Sequence, residues 1–439
     1  MSFNIPLEDN IGKLVMPENL SIGMMVARQH KKCQEIGCEF DYYGFAFGQS
    51  PFPVPDALQK SLSENSHAGH YSDSAGINDL REAVAGFNLK HFALDISPER
   101  IIVGPGTKTI IFMIFSIVKA NVIIPSPSWI GYSPLVKFLG KEPLSFPLSP
   151  ENDYKIDPGE LDSFLNKRSG HDLLVLNNPN NPTGVVYKRD ELKQITEICR
   201  KHGTLVLSDE IYALTTYELE NFHSMGAIYP EGTFVTNGLS KDRSAGGYRL
   251  GTCVLPEQTT SKLKDSFIKL AASLYSNVTT PIQLAAINAY QENPRMEEYF
   301  HITRNIHRIM GKNLSEKCNQ IEGLKATVPA GGFYFLLDFN QLGDKLREKG
   351  IISSDELAPA LLAHPYHIAT VTGRSVFVAP TNFSARISFV DYDGKAAYQD
   401  YKTNPQENKA EEEKFLAKHG AHMLSGLNDL KEFVAHLME

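Results

Sequence analysis

A lysine and an arginine stand at the two ends of one short glycine-containing loop, "GLSKDRSAGGYRLG", residues 238–251. Lys241 can act as a nucleophile once it loses its proton, and nearby positive charge or partial desolvation favours that loss. Arg249 can hold a phosphate through two parallel hydrogen bonds. Read alone, Lys241 is most often a solvated surface lysine. Together, the two residues are suited to a site that binds a phosphate beside a reactive amine.

Two further polar stretches stand where short apolar runs end. "NNPNNPTG" follows "DLLVL" and offers the side-chain amide of Asn181, although an Asn-Pro stretch alone is usually just a turn. "SDEIY" follows "TLVL" and places Asp209 and Tyr212 at the next run's end, although an aspartate there is more often a helix cap or an ion-pair partner.

A glycine loop, "IIVGPGTKT", joins another apolar run to an apolar helical stretch. This order presents the backbone N–H groups of Gly106, Thr107 and Lys108 at a helix N-terminus, where a phosphate binds readily. The Gly-Lys-Ser/Thr order of a nucleotide-binding P-loop is missing, so the pattern indicates a different phosphate ligand.

From residue 100 onward, short apolar runs alternate with helical patterns: "RIIVGPG", "NVIIPSP", "DLLVLNNP", "GTLVLSDE", "GTFVTNG" and "GTCVLP". The runs are too uniformly apolar to have one face in water, which favours a largely parallel sheet covered by helices. Between two of them, "KRDELKQITEICRKHG" places four apolar residues on one helical face, namely Leu192, Ile195, Ile198 and Cys199. Gly203 then stands where a C-terminal cap is expected. In such sheets ligands gather beyond the carboxyl ends of the strands, where the polar residues above lie.

The C-terminal part has a different pattern. "LKATVPAGGFYFLLDF", "RSVFVAP" and "FSARISFV" predict strands of a smaller α+β lobe. A long helical stretch from about Ile282, broken near Pro294, is predicted to join the two lobes. Residues 391–420 are polar and highly charged, and we expect a solvated excursion before the last helix.

Composition excludes several classes of protein. The 439 residues are 42% hydrophobic and 21% charged, as in an ordinary globular enzyme, and the net charge of −8 disfavours nucleic acid or an anionic membrane as a partner. The start, "MSFNIPLEDN", lacks a secretory pattern, and the apolar stretch from Ile110 to Val118 is too short to span a bilayer.

Five scattered cysteines predict reduced thiols in a cytoplasmic setting. Cys33 and Cys38 have the spacing of a metal half-site, but no second half-site follows, so packing is the favoured interpretation and no metal is predicted.

In this order along the chain, the motifs resemble those of the class I/II aminotransferases of fold type I, the aspartate aminotransferase-like enzymes that use pyridoxal 5′-phosphate. The resemblance extends from "FAFGQSPFPVP" near residue 45 to "SARISF" near residue 389. It implies the α/β fold of type I pyridoxal-phosphate-dependent transferases. That fold has a large α/β/α domain with a mostly parallel seven-stranded sheet, and a smaller α+β domain. We expect residues 45–285 to form the large domain, and residues 1–44 with 286–439 to form the small one.

The resemblance implies roles at the cofactor's reactive and phosphate ends. Lys241 matches the lysine that bonds to the cofactor aldehyde and then shuttles the substrate α-proton. Arg249 matches the cation on the phosphate, and Ser240 adds a hydroxyl. Many relatives have a second serine where this chain has Gly238, so one phosphate contact is expected to be missing.

The resemblance also implies contacts to the cofactor ring. Asp209 matches the carboxylate that keeps the pyridine nitrogen protonated. Asn181 and Tyr212 match the groups that hydrogen-bond the ring hydroxyl oxygen. Trp129, in "PSPSWIGY", matches an aromatic ring stacked on the cofactor, with a core tryptophan as the alternative.

Substrate and partner contacts follow in the same way. Arg386 matches the arginine that clamps the substrate carboxylate, with Asn181 and the backbone of Gly48 beside it. Tyr71 matches a tyrosine that reaches the phosphate of the neighbouring subunit's cofactor, which implies a homodimer with shared active sites. A purely structural role for Tyr71 is the alternative.

The leading hypothesis is a transaminase that moves an amino group from an L-amino acid to a 2-oxo acid by a ping-pong mechanism. The alternative is a lyase on the same scaffold, such as a cysteine-S-conjugate β-lyase or an aminocyclopropane-carboxylate synthase-like enzyme. A DNA-binding regulator is disfavoured, since the region before Gly48 is short and not basic.

The substrate's side chain is left open. A dicarboxylic substrate would need a second cation, for which Lys108, Arg243 and Arg374 are candidates. An aromatic substrate would need apolar walls, which "FDYYGFAF" could supply, although packing of the N-terminal segment is the favoured interpretation.

Three features depart from the family pattern. A Pro-Gly-Asp turn is missing from "IVKANVIIP", a glycine is missing from "VAPTNFSAR", and residues 391–420 form a longer link than usual. The second and third are expected to reshape the substrate pocket.

Overall fold

The computed structural model describes residues 5–9, 11–14, 16, 18–36 and 41–439. Cys38 and the side chain of Cys33 lie outside this description, so the question of a metal half-site there stays open. Cys199, Cys253 and Cys318 are buried free thiols.

The larger sheet is built from β1 (Ile101–Gly104), β2 (Asn121–Ser126), β3 (Leu144–Pro147), β4 (Asp172–Asn177), β5 (Leu205–Asp209), β6 (Thr233–Gly238) and β7 (Gly251–Val254). Their order is β1-β7-β6-β5-β4-β2-β3. Only β7 runs antiparallel to its neighbours. The six apolar runs quoted above all form strands, and β3 completes the predicted seven. Every residue of β4 and of β6 is buried, as expected for a sheet covered on both faces.

Helices cover the sheet and build the second lobe. They are α1 (Glu18–Ile36), α2 (Asp56–Asn65), α3 (Asn78–Phe92), α4 (Thr107–Ile117), α5 (Tyr132–Phe138), α6 (Pro158–Asn166), α7 (Arg189–His202), α8 (Met225–Ile228), α9 (Ser261–Leu274), α10 (Thr280–Tyr290), α11 (Pro294–Cys318), α12 (Gly343–Glu348), α13 (Ser354–Leu362), α14 (Gly394–Thr403), α15 (Lys409–His419) and α16 (Ala421–Met438).

Helix α7 shows why the local sequence predicted its element. Leu192, Ile195 and Cys199 are buried on one face. The helix ends at Gly203, whose φ of 65° lies in the left-handed region that favours glycine. The predicted face and cap are both confirmed.

The smaller sheet is antiparallel and contains β8 (Lys325–Ala326), β9 (Tyr334–Asp338), β10 (Val371–Thr372) and β11 (Ser384–Ser388), in the order β10-β11-β9-β8. The predicted strand "RSVFVAP" is wrong. Its residues form turns in which Val376 and Val378 both donate to the carbonyl of Gly373, and Phe377 has a φ of 71°. The alternating apolar side chains pack in a tight loop, with Val376 in a core cluster that includes Ile22.

Residues 391–420 are not a solvated excursion, and that prediction is wrong. They form α14 and α15, which bury Ala397, Tyr401, Phe415 and Leu416. The rings of Tyr401 and Phe415 lie 6.0 Å apart at an angle of 89°. The few apolar residues in this charged segment are spaced to share one face of each helix, and burial of that face outweighs the surrounding charge.

The helical stretch predicted from about Ile282, with a break near Pro294, is confirmed as α10 and α11, and its role in joining two lobes stays a prediction. The break falls at Asn293, whose side chain caps α11 by accepting from the backbone of Arg295. The division into residues 45–285 and the two flanking segments stays a prediction.

In the described part of the chain, no helix has both the length and the apolarity needed to cross a membrane. Those same residues contain no group of three or more His, Cys, Asp or Glu side chains arranged to hold a metal ion.

Candidate active site

Lys241 lies in the loop between β6 and β7 and faces the segment that leads into α2. Its ammonium nitrogen donates to the carbonyl of Gly48 at 2.7 Å. It lies 5.6 Å from the ring centroid of Tyr212 and 5.3 Å from that of Phe333. The amine is half-buried and flanked by these two aromatic rings.

Asp209 is the last residue of β5 and is only 4% exposed. Its carboxylate accepts from the hydroxyl of Tyr132 at 2.6 Å and from that of Thr236 at 3.1 Å. Burial raises the pKa of Asp209, while these hydrogen bonds and the positive charge of Lys241 act in the opposite direction. Within the described chain Asp209 has no ion pair, so a cationic ligand group would stabilise its charged form.

Asn181 and Tyr212 lie together, as predicted from the ends of β4 and β5. The Asn181 amide nitrogen lies 3.5 Å from the Tyr212 hydroxyl, the limit of a hydrogen bond. The backbone N–H of Asn181 donates to the side chain of Asn177 at 2.7 Å, which orients the Asn-Pro turn. Desolvation raises the pKa of Tyr212 well above its ordinary value, so its hydroxyl stays protonated and can donate.

Arg386 is an arginine inside strand β11 and is only 3% exposed. Its guanidinium donates to the side-chain oxygen of Asn181 at 3.3 Å and to the carbonyl of Ala46 at 2.9 Å. It stacks on the ring of Tyr334 at 4.6 Å. Its buried Nε–H has no acceptor among the described residues. A buried cation with a free donor is suited to an anionic ligand.

Gly48 lies between the lysine and the arginine. Its carbonyl accepts from Lys241 and, at 3.2 Å, from the hydroxyl of Tyr334. A Cβ atom at this position would lie 2.0 Å from that hydroxyl oxygen, so the site requires glycine here.

The glycine loop before α4 differs from the prediction in one detail. The N–H of Gly106 donates to the carbonyl of Gly104 at 2.7 Å, so it is not free for a phosphate. The N–H groups of Thr107 and Lys108 belong to the first turn of α4 and have no intrahelical acceptor. Gly106 itself has a φ of 86°, and a Cβ there would lie 2.3 Å from the guanidinium of Arg249. The Gly106 N–H is therefore occupied by a hydrogen bond within the same turn whose glycine makes room for Arg249.

Arg249 and Lys108 form a cationic rim beside this loop. Arg249 donates to the carbonyl of Gly246 at 2.8 Å and is otherwise exposed. Desolvation lowers the pKa of Lys108, and the charges of Arg249 and Lys241 lower it further. Three like charges this close favour a polyanionic ligand. Ser240, also predicted to contact the phosphate, is half-buried beside Lys241.

Trp129 is partly exposed and packs against a core cluster, so stacking on the cofactor and a packing role both stay open. Its ring meets that of Tyr132 edge-on at 5.0 Å, and the Lys108 ammonium lies 5.4 Å from its centroid.

Tyr71 does not join this group of residues. Its side chain is 90% exposed, although the backbone on both sides is anchored to α10. The hydroxyl of Thr280 donates to the carbonyl of His70 at 2.8 Å, and Gln283 donates to the hydroxyl of Ser72 at 3.0 Å. The Tyr71 side chain is therefore exposed to solvent, while the backbone on both sides of it is fixed by hydrogen bonds.

Comparison with known proteins identifies the family. The family model "Aminotransferase class I and II" matches residues 41–393. The chain belongs to the class I and II aminotransferases. It is 32% identical over 352 residues to a "Probable aspartate/prephenate aminotransferase" of Aquifex aeolicus (strain VF5). The aligned residues cover 77% of this chain and 85% of that protein. It is also 32% identical over 368 residues to an "Aspartate aminotransferase" of Bacillus sp. (strain YM-2), with 82% and 90% covered.

Solved structures show the fold of this aminotransferase. The alanine aminotransferase from Pyrococcus furiosus superposes with a TM-score of 0.80 at 22% identity, covering 98% of this chain and 100% of that one. The predicted type I fold is confirmed. The protein is a pyridoxal-phosphate-dependent transaminase that moves an amino group from an amino acid to a 2-oxo acid.

The site of this aminotransferase fits its cofactor. The buried, unpaired carboxylate of Asp209 suits a pyridinium nitrogen, and the rim of Arg249, Lys108 and the α4 N-terminus suits a phosphate. Gly238 explains the missing phosphate hydroxyl. A Cβ at residue 238 would lie 2.7 Å from the carbonyl oxygen of Leu250, so β7 leaves no room for serine there.

Three residues of the site were not singled out from the sequence. Tyr132 and Thr236 bond Asp209, and Tyr334 contacts Gly48 and Arg386. Tyr132 stands three residues after Trp129, a spacing that was available as a signal. Thr236 and Tyr334 lie in strands, and their approach depends on which strands are neighbours.

Two candidate cations for a substrate side chain are already paired with carboxylates. Arg243 is completely buried and pairs with Asp242, so a substrate cannot reach it. Arg374 is paired with Asp355 at the rim of a cavity of about 930 Å³ that Trp129 also lines. Lys108 remains beside Trp129. Phe45, from the aromatic segment near the start, is buried in the core, in agreement with the packing interpretation.

Proposed function

We propose that Arg386 binds the α-carboxylate of an L-amino acid and that Lys241 carries out the proton transfer of this transamination. The free Nε–H of a buried arginine, beside Asn181 and close to the Lys241–Gly48 contact, is the observation that carries the proposal. A carboxylate held there in a bidentate pair would satisfy that donor.

Pyridoxal phosphate supplies, when bound, an aldehyde that takes up the amino group and a ring that withdraws electrons from the substrate's α-carbon. We assign Asp209 to the ring nitrogen, where its negative charge favours the protonated form. Asn181 and Tyr212 are assigned to the ring oxygen, and Trp129 to the ring face.

The phosphate is assigned to Arg249, to Ser240 and to the backbone N–H groups of Thr107 and Lys108 at the start of α4, with Gly106 as the glycine that admits Arg249. A fixed cation and a helix N-terminus on the same anion also hold the cofactor against rotation.

Lys241 is assigned two tasks. Its amine would hold the cofactor before substrate arrives, and it would then take the proton from the substrate α-carbon and give it back to complete the amino-group transfer. The rings of Tyr212 and Phe333 flank that amine, with centroids 5.6 Å and 5.3 Å away, and restrict the access of water to it.

We infer a dicarboxylic amino acid such as aspartate as the first donor to test. Proteins named aspartate aminotransferase are among the relatives, and Lys108 places a second cation beside Trp129. A distal carboxylate would pair with this ammonium and oppose the burial and the neighbouring positive charges that lower its pKa.

We also propose a cytoplasmic homodimer in which Tyr71 reaches the partner's cofactor phosphate. The anchored segment and the 90% exposure of Tyr71 support this assignment. Three buried free thiols suit a reducing compartment.

The test is the absorbance spectrum of the holoenzyme while single L-amino acids are added. Aspartate is expected to convert the absorbance of the lysine-bound cofactor to that of the aminated cofactor and to yield its 2-oxo acid. Conversion by alanine or phenylalanine only would contradict the dicarboxylic assignment. Persistence of the lysine-bound absorbance in Lys241→Ala would contradict the role of Lys241.

A further inference from the structure

The residue pair that follows Lys241 is buried and charged. Arg243 is 0% exposed and Asp242 is 3% exposed. Arg243 Nη1 pairs with Asp242 Oδ1 at 2.9 Å, and its Nε–H donates to the carbonyl of Ala289 in α10 at 3.1 Å. The lysine loop is thereby bonded to α10.

Three aromatic rings surround the Arg243 guanidinium. Its Cζ lies 4.6 Å from the ring centroid of Phe87, 4.4 Å from that of Tyr290 and 5.0 Å from that of Phe300. We call these three side chains the aromatic box. They come from α3, α10 and α11, so a single planar group contacts three helices at once. A planar, delocalised cation is well suited to stacking on such faces.

Stability alone does not account for this pair. One Asp242 oxygen and Arg243 Nη2 are buried without a partner among the described residues. Well-packed apolar residues in place of a buried ion pair are often neutral or stabilising. The pair therefore incurs a desolvation cost that folding does not require.

The other side of the loop is anchored too. The Ser244 hydroxyl lies 2.5 Å from that of Ser50 and 2.7 Å from that of Tyr299, and Ser244 has a φ of 51°. Ser50 is two residues from Gly48, the acceptor of the Lys241 amine. The backbone after Lys241 is thus held in an unusual conformation from both sides.

We propose that Arg243 is a positioning residue for Lys241. Its guanidinium, fixed by Asp242, the Ala289 carbonyl and the aromatic box, holds the backbone that aims the Lys241 amine at the substrate. This inference rests on the proposed role of Lys241.

The test compares Arg243→Met with Arg81→Met. Arg81 is a matched control because it is also a buried arginine, 7% exposed, and lies on α3. Its guanidinium donates hydrogen bonds to the carbonyl of Pro98 and the side chain of Asn78, outside the active site. Four quantities are measured for each variant: the rate at which the apoprotein captures pyridoxal phosphate covalently, the kcat and the KM of the amino-acid half-reaction, and the melting temperature.

In Arg243→Met the capture rate and kcat are expected to fall by about a hundredfold, the usual effect of a misplaced reactive group. KM is expected to stay within about twofold, because Arg386 still binds the carboxylate. Arg81→Met is expected to lower the melting temperature only. Equal behaviour of the two variants would overturn the inference.

A second variant covers a failure of Arg243→Met to fold. Tyr290→Leu opens one wall of the aromatic box and leaves the ion pair in place. Slower capture in this folded variant supports the inference, and an unchanged rate overturns it. A failure of the proposed role of Lys241 can be told apart from a failure of this inference. If Lys241 is not the reactive lysine, Lys241→Ala will still capture the cofactor covalently.

Discussion

Asp209 receives hydrogen bonds from side chains of two different elements, Tyr132 in α5 and Thr236 in β6. These donors stabilise the carboxylate against the burial that raises its pKa. Its charged form is the one that favours a protonated ring nitrogen. Tyr132 and Thr236 therefore help to keep Asp209 in the charged form that binds a protonated ring nitrogen.

The variant Tyr132→Phe is expected to lower kcat about tenfold, since a hydrogen bond to a charged group contributes about 1.5–3 kcal/mol. KM for the amino acid should change little, because Arg386 is untouched. Half-reaction kinetics measure both. Tyr229→Phe is the control, as that hydroxyl bonds the carbonyl of Thr204 at 3.1 Å, at the opposite end of β5. Equal losses in the two variants would contradict the assignment.

A substitution at Arg386 is expected to change KM rather than kcat, the reverse of Tyr132→Phe. Arg386→Lys keeps a positive charge but loses the two-pronged geometry and the stacking on Tyr334. KM for the amino acid is expected to rise by about tenfold to a hundredfold, the equivalent of a lost charged hydrogen bond. Arg347→Lys, an exposed arginine stacked on Phe383, is the control. A loss confined to kcat would argue against carboxylate binding.

At the scale of elements, α14 and α15 form a unit held by one carboxylate. Asp400 accepts from Lys418 at 2.8 Å and from His419 at 2.6 Å, and Tyr401 packs on Phe415. The hydrogen bond from Lys418 is the largest cause that lowers the pKa of Asp400 to about 2. This unit occupies the segment expected to be solvated.

Asp400→Asn is expected to lower the free energy of unfolding at pH 7 by about 1 kcal/mol, since solvent screens such pairs. The folded-state pKa lies below the ordinary value of 3.8, so this contribution is present above about pH 4 and is lost as pH falls toward 2. Urea unfolding at pH 7, 4 and 3 measures it. The wild type and the variant should converge at low pH, unlike Asp344→Asn, a 96% exposed control with little effect at any pH.

At the scale of the whole molecule, His307 in α11 makes the fold sensitive to acid. It is 1% exposed, and its ring lies 5.0 Å from that of Phe52 and 5.1 Å from that of Phe333. Burial lowers its pKa from 6.5 to about 3. Between these values the unfolded chain binds a proton that the folded chain does not, so stability falls as pH drops through that window.

His307→Met is expected to remove this dependence, which is at most about 1.4 kcal/mol per pH unit for one proton. Urea unfolding between pH 7 and 4.5 gives the slope. The exposed histidine variant His364→Asn serves as the control and should retain the wild-type slope. An unchanged slope in His307→Met would contradict the prediction.

The assembly also belongs to this scale. Tyr71→Phe is expected to leave a dimer of unchanged mass but to weaken cofactor binding about tenfold, through loss of a charged hydrogen bond across the interface. Sedimentation and reconstitution of the apoprotein measure the two effects. A monomeric wild type, or an unchanged cofactor affinity, would contradict the shared site.

The sequence by itself determined the chemical groups and their order: Asp209 at the end of a strand, Lys241 in a loop after a strand, and Arg386 within a strand. Strand ends of a parallel sheet converge, so local patterns were enough to bring Asp209 and Lys241 to one edge. Arg386 lies in the separate antiparallel sheet and was predicted from the family resemblance. The sequence also singled out Gly48 and Gly106. It did not predict that the Tyr334 hydroxyl and the Arg249 guanidinium are the groups that leave no room for a side chain there.

Only the tertiary structure decided the contacts between distant segments. Tyr132 meets Asp209 across 77 residues, and Arg243 is enclosed by side chains from three helices rather than facing a substrate. The same holds for the burial of α14 and α15. Such contacts depend on how whole elements pack, and the free energy of that packing is not contained in any local stretch of residues.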